Sequence, residues 1–140
     1  MPWQQSGGAQ SAGLSFRSAG TYNIPLNAAL SGWRAQISGN GIRVTGSGPF
    51  RVTIRIDAAA NIQALVRVSG SVTNLLTASL SDPSTTSGQL HLADGSVLEL
   101  WCTWPSGTNS VAAGANSYVT FEPVGPTTSG GLTIPRSALY

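Results

Sequence analysis

The sequence predicts an all-β protein, a sandwich or barrel of about eight to ten short antiparallel strands carried between two extended arms. Three observations predict it. Apolar and polar residues alternate with period two through most of the chain, as half-buried strands require. Turn-forming pairs punctuate those runs. Helical periodicity is nearly absent, and only Leu26-Asn27-Ala28-Ala29-Leu30 has the pattern of a single helical turn. The composition agrees. The 140 residues suit one core, and 41% of them are hydrophobic, too many for a disordered chain. Gly (17), Ser (19) and Thr (13) dominate the polar remainder, and only 9% of the chain is charged, against about 25% in an ordinary soluble domain.

Residues 1–12 contain Gln, Ser, Gly and Ala around a single Trp3 and read as an N-terminal arm. A domain over 13–124 follows. Trp33, Ala35 and Ile37 alternate with Arg34, Gln36 and Ser38, ahead of Ile42 and Val44. Phe50, Val52, Ile54 and Ile56 alternate with Arg51, Thr53, Arg55 and Asp57, the signature of a strand with one face on the core and one on water. Ile62, Ala64, Val66 and Val68 make the next inward set, then Val72, Leu76, Ala78 and Leu80. Leu90 and Leu92 face inward around His91, and Leu98, Leu100, Cys102 and Trp104 oppose Val97, Glu99 and Trp101. Val119 and Phe121 close the domain. Asn40-Gly41 and Asp94-Gly95 read as two-residue hairpin turns. Residues 125–140 form a C-terminal arm. Within it Leu132-Thr133-Ile134 alternates like an added strand, between Gly130-Gly131 and Pro135. Trp3, Leu132, Ile134, Leu139 and Tyr140 are the arms' candidate anchors.

Chemistry is sparse. The net charge of +2 rests on seven arginines, with no lysine, scattered singly. They make no clustered footprint, so no nucleic-acid partner is expected. The uncharged stretch from Trp101 to Phe121 is broken by Ser, Thr and Asn, so no membrane span is expected either. The N-terminus has neither the basic start nor the apolar run of an export signal, so synthesis in the cytoplasm without a signal peptide is expected. Cys102 is the sole cysteine and reads as a buried small hydrophobe. His91 reads as a solvent-facing strand residue, and no Gly-x-Ser-x-Gly elbow accompanies it. Five carboxylates at 57, 82, 94, 99 and 122 lack metal-ligand spacing. No catalytic, metal or cofactor site is expected. The outward aromatics are more informative. Trp101 and Tyr118 lie opposite the inward positions of their strands, and large outward aromatics commonly fill interfaces. The Trp104-Pro105-Ser106-Gly107 loop is a candidate for stacking on a surface glycan.

Gly48-Pro49-Phe50-Arg51-Val52-Thr53-Ile54-Arg55-Ile56 resembles the Gly-x-Tyr/Phe strand of the superfamily containing tumour necrosis factor and the complement globular head. Leu90-His91-Leu92-Ala93-Asp94-Gly95-Ser96-Val97-Leu98 is similar to its Leu-x-Leu-x-x-Gly-Asp-x-Val strand pair, with Ser96 in place of Asp. Ser117-Tyr118-Val119-Thr120-Phe121 stands where the family has its closing Ser-x-Phe-x-Gly strand, although Glu122 rather than Gly follows. The resemblance implies a jelly roll that assembles as a homotrimer, with Trp101 and Tyr118 as candidate interface residues. Such domains also occur in bacteriophage virions, and the lysine-free, Gly/Ser/Thr-rich composition suits that setting. The expected function is therefore a non-enzymatic capsid decoration, cement or minor tail protein on a virion surface. It would contact other virion proteins through its arms. The alternative is a carbohydrate- or receptor-binding module of a fibre.

Overall fold

Alternating runs become strands where they find edges to pair with, and in this chain the partners are distant in sequence. The computed structural model describes residues 3–58, 62–69, 73–80 and 84–124, with side chains left out at 78–80 and 84–86. The strands are β1 (Gly7–Ser11), β2 (Leu14–Phe16), β3 (Gly20–Ile24), β4 (Leu26–Ala29), β5 (Ile37–Ser38), β6 (Gly41–Arg43) and β7 (Gly48–Ile56). They continue with β8 (Ile62–Val68), β9 (Leu76–Leu80), β10 (Ser84–Leu92), β11 (Val97–Trp104), β12 (Asn109–Val111) and β13 (Gly114–Pro123). The protein is all-β, as its alternation predicts. It has more strands than expected because β2, β5 and β12 span only two or three residues, too few for a period to show.

Two antiparallel sheets pack face to face. One has five strands in the order β10-β7-β13-β1-β4. The other runs β5-β6-β11-β8-β9, with β3 also paired to β11. A short β2–β12 ribbon completes the described strands. Between the sheets lies one apolar core. Phe50, Val52, Ile54, Ile56, Val119 and Phe121 reach in from the first sheet; Ile24, Ile42, Ile62, Ala64, Val66, Leu98, Leu100 and Cys102 reach in from the second. The Phe50 and Phe121 rings meet edge to face, with centroids 5.7 Å apart, the arrangement their quadrupoles favour.

Several expectations give way to pairing. Residues 1–12 are not an arm throughout, because Gly7–Ser11 is an interior strand between β13 and β4. Its lack of bulk, which reads as disorder, is a packing requirement. A Cβ on Gly7 would stand 2.5 Å from the Phe121 ring. Leu26–Ala29 is strand rather than a helical turn, since β1 supplies its backbone partners. The β5–β6 turn centres on Gly39 and Asn40, with Ser38 opposite Gly41, one residue earlier than Asn40-Gly41. Gly41 belongs to β6, where any Cβ would collide with the Leu98 carbonyl oxygen. Asp94-Gly95 is not a hairpin turn, because β10 and β11 belong to different sheets; only Gly95 has positive φ there, at 87°. Of the expected inward set, Ile37 is 40% exposed, on the edge strand β5. Trp33 lies outside the core. Val68 and Leu90 are partly buried against it. The expected positions at Val72 and 125–140 fall outside the described residues.

β7 is the clearest test of register. Ile54→Ala is expected to cost about 2–5 kcal/mol through lost burial and the cavity left behind. Gln63→Ala, at an exposed position of β8, should stay within about 0.5 kcal/mol of the parent protein. Urea unfolding measures both. An unchanged midpoint for Ile54→Ala would mean that β7 presents its other face to the core.

Candidate interaction surfaces

With Val52, Ile54, Val119 and Phe121 turned inward, strand geometry sends the intervening residues to the outer face of the five-stranded sheet. Register arranges them in rows. Tyr118 lies between Arg55 and Gln10, Thr120 between Thr53 and Gly8, and Glu122 beside Arg51. Ser87 and Gln89 of β10 continue the rows beside Thr53 and Arg51. The Thr53 and Ser87 hydroxyls are 2.8 Å apart and hydrogen-bonded. His91 is exposed on the same face.

Trp33 also belongs to this face. Gly8 donates its N–H to the Arg34 carbonyl, and Leu30 donates to Gly8, which folds the 30–34 loop across β1. The indole then occupies the space that Gly8 leaves open: a Cβ there would be 3.1 Å from the ring and 2.9 Å from Thr120 Cγ2. Thr120, an outward residue, is consequently only 6% exposed. Alternation around Trp33 does not foretell this, because residues 33–36 form no strand. The absent side chain at Gly8 is the signal in the sequence.

Trp101 and Tyr118 are not neighbours. Tyr118 is half-buried on the five-stranded sheet, whereas Trp101 is half-buried on the outer face of the other. The Arg67 guanidinium carbon stands 5.0 Å from the Trp101 ring centroid, and Trp101 Nε1 donates to Glu99 Oε1 at 3.3 Å. Leu65 sits directly beside Trp101 in register. It faces outward yet is 2% exposed, and the indole next to it accounts for that shelter. Trp101 thus has work within its own sheet.

Trp104 does not stand above its loop as a free stacking platform. Its ring makes an edge contact with Phe16 at 6.4 Å, and Nε1 donates to the Gly107 carbonyl. Phe16 stacks on Tyr22 at 4.5 Å, so the loop Trp joins an intramolecular aromatic cluster. Trp3 is 58% exposed, ahead of β1. Leu132, Ile134, Leu139 and Tyr140 lie outside the described residues.

The titratable groups do not converge. Among the described residues no three His, Cys, Asp or Glu side chains gather where a metal could sit. Asp94 Oδ1 accepts the Gly46 N–H at 2.8 Å, while the Asp94 N–H donates to Ser47 Oγ. Cys102 is fully buried. Burial pushes its thiol up from 9.0 to about 11, against a smaller lowering by a backbone hydrogen bond at Tyr22.

No family of known proteins matches this sequence, and no curated protein is significantly similar to it. The fold, by contrast, is well represented among solved structures. The chain is similar to the Eiger TNF of S. frugiperda, with a TM-score of 0.62 and 13% identity over 92% of this chain and 99% of that one. It is also similar to murine APRIL, with a TM-score of 0.58 and 13% identity over 85% of this chain and 98% of that one. The architecture is therefore a jelly roll of the tumour necrosis factor type.

The Cys102 thiol ionises more readily in the unfolded chain than in the folded one. Native stability should therefore hold below pH 9 and decline as pH rises through about 11, because the native state retains a proton that the unfolded state has released. Cys102→Ala should flatten that alkaline decline. Iodoacetamide at neutral pH is expected to label the thiol only as fast as the protein opens; rapid labelling of the native protein would contradict its burial.

Proposed function

We propose that this chain is a non-enzymatic structural protein that works as a homotrimer, self-associating through the outer face of its five-stranded sheet. The observation that carries the proposal is that face. It presents Tyr118 on the central strand between Arg55 and Gln10, one row from the Thr53 and Ser87 hydroxyls, with Arg51 beside Glu122 in register. Short polar residues let another surface approach closely, Tyr supplies contact area at little entropic cost, and adjacent opposite charges fix orientation. The likeness to tumour necrosis factor-type jelly rolls supports the same reading. A surface with so few charges also does little to hold copies apart.

The setting we propose is the surface of a bacteriophage particle, where the trimer decorates or cements a capsid or tail. The support is compositional: no lysine, 49 Gly, Ser and Thr residues among 140, and a C-terminal segment of alternating apolar residues after Gly130-Gly131. A segment of that kind can add a strand to a neighbour's sheet edge, with main-chain hydrogen bonds for affinity and side-chain pockets for specificity.

Light scattering on the purified protein should return about three times the 14.3 kDa chain mass. Tyr118→Arg should give a folded monomer, because three added cations would be forced together at a desolvated contact. A stable 14.3 kDa parent protein at micromolar concentration would end the trimer reading. The setting is tested separately by deleting residues 129–140. The shortened chain should fold and trimerise yet drop out of assembled particles, and undiminished incorporation would remove the C-terminal segment from the attachment mechanism.

A further inference from the structure

A cleft of about 230 Å³ opens between the segment leading into β1, the approach to β5, and β6. Its walls bring together Gln5, Ser6, Arg34, Gln36, Arg43 and Thr45, and Phe121 also contributes to the lining. Three backbone hydrogen bonds hold those walls: Gln5 N–H to the Thr45 carbonyl, Gly8 N–H to Arg34, and Arg43 N–H to Gln36. The cleft is therefore formed before any ligand arrives, which removes much of the ordering cost of binding.

Its chemistry is one-sided. Two arginines are among the lining residues and no acidic residue is. Among the described residues neither Arg34 nor Arg43 is engaged by an acidic side chain. Two like charges at one cleft repel each other, and an anion between them relieves that repulsion. Planar guanidinium forks match the paired oxygens of a carboxylate, as they do those of a phosphate. The remaining groups, two amides and two hydroxyls, can both donate and accept, as the hydroxyls of a sugar ring require. The volume falls below the ~300–1,000 Å³ of clefts that hold drug-sized ligands, and so suits a single ring.

We infer that this cleft binds one acidic sugar residue, with Arg34 and Arg43 on the carboxylate and the Gln and hydroxyl side chains on the ring. The inference is independent of trimer formation, since the cleft lies apart from the rows containing Tyr118. Isothermal titration of the intact protein with glucuronic acid and N-acetylneuraminic acid tests it, with glucose and inorganic sulfate as comparators. At least one acid should bind saturably and more weakly as salt is raised. Arg34→Gln and Arg43→Gln, both at exposed positions, should each weaken binding roughly tenfold or more, the loss expected for a charge-assisted hydrogen bond. Arg51→Gln, on the sheet face, should bind as the parent does. Failure of both acids to saturate would overturn the inference. So would equal affinity for glucose, sulfate binding as tight as that of the acids, or unaltered binding by both cleft variants.

Discussion

The insertion of β13 between β7 and β1 is the pairing on which the rest of the structure depends. It joins the last described strand to the first, and both to a strand from mid-chain. Val119 and Phe121 enter the core from a strand paired on both sides there, so their backbone groups are satisfied by β7 and β1. The same pairing imposes two glycines on β1. Gly7 makes way for the Phe121 ring inside, and Gly8 makes way for Trp33 outside. A strand built from Gly-Gly-Ala has little intrinsic preference for extended structure. It exists because its neighbours require a thin backbone there.

That thin strand links core packing to surface function. Because Gly8 has no side chain, the 30–34 loop can fold over the sheet, and its backbone hydrogen bonds bring Arg34 to the cleft shared with Arg43. The row through Tyr118 lies on the same sheet, where the pleat turns alternate residues outward. The sheet face proposed for self-association and the cleft lined by Arg34 and Arg43 thus descend from one local constraint. They remain separate surfaces, so the two proposals can be tested one at a time.

The connections between sheets are as specific as the sheets. Val44 donates to the Ser96 carbonyl, Gly95 donates to Val44, and Asp94 holds the Gly46 N–H. These bonds tie the β6–β7 connection to the β10–β11 connection, so each sheet's position is set relative to the other at one end of the sandwich. Gln4 adds a further tie through its side-chain amide, which donates to the Pro49 carbonyl at 2.9 Å. The N-terminal segment is therefore anchored ahead of β1, and the cleft it borders has a fixed wall.

Much of this was legible from residue order alone. Alternation in Phe50–Ile56 and Val97–Trp104 identified strands and their buried faces, because a side-chain period of two has a single geometric meaning. Outward Trp101 and Tyr118 were legible for the same reason, and the motif order pointed to the jelly roll. What alternation could not convey was adjacency. A period states which way a side chain points within its strand but not which sheet the strand joins. Only the tertiary structure could place Trp101 and Tyr118 on opposite sheets, or turn the Trp104 ring onto Phe16. Nor could the sequence reveal β1, whose backbone partners come from β13, β4 and the 30–34 loop, or the placing of Arg34 and Arg43 on one cleft. The sequence by itself determined the strands' inward and outward faces, since these follow from local backbone geometry. The tertiary structure decided which faces and charges meet, since those contacts arise from pairing between residues far apart in the chain.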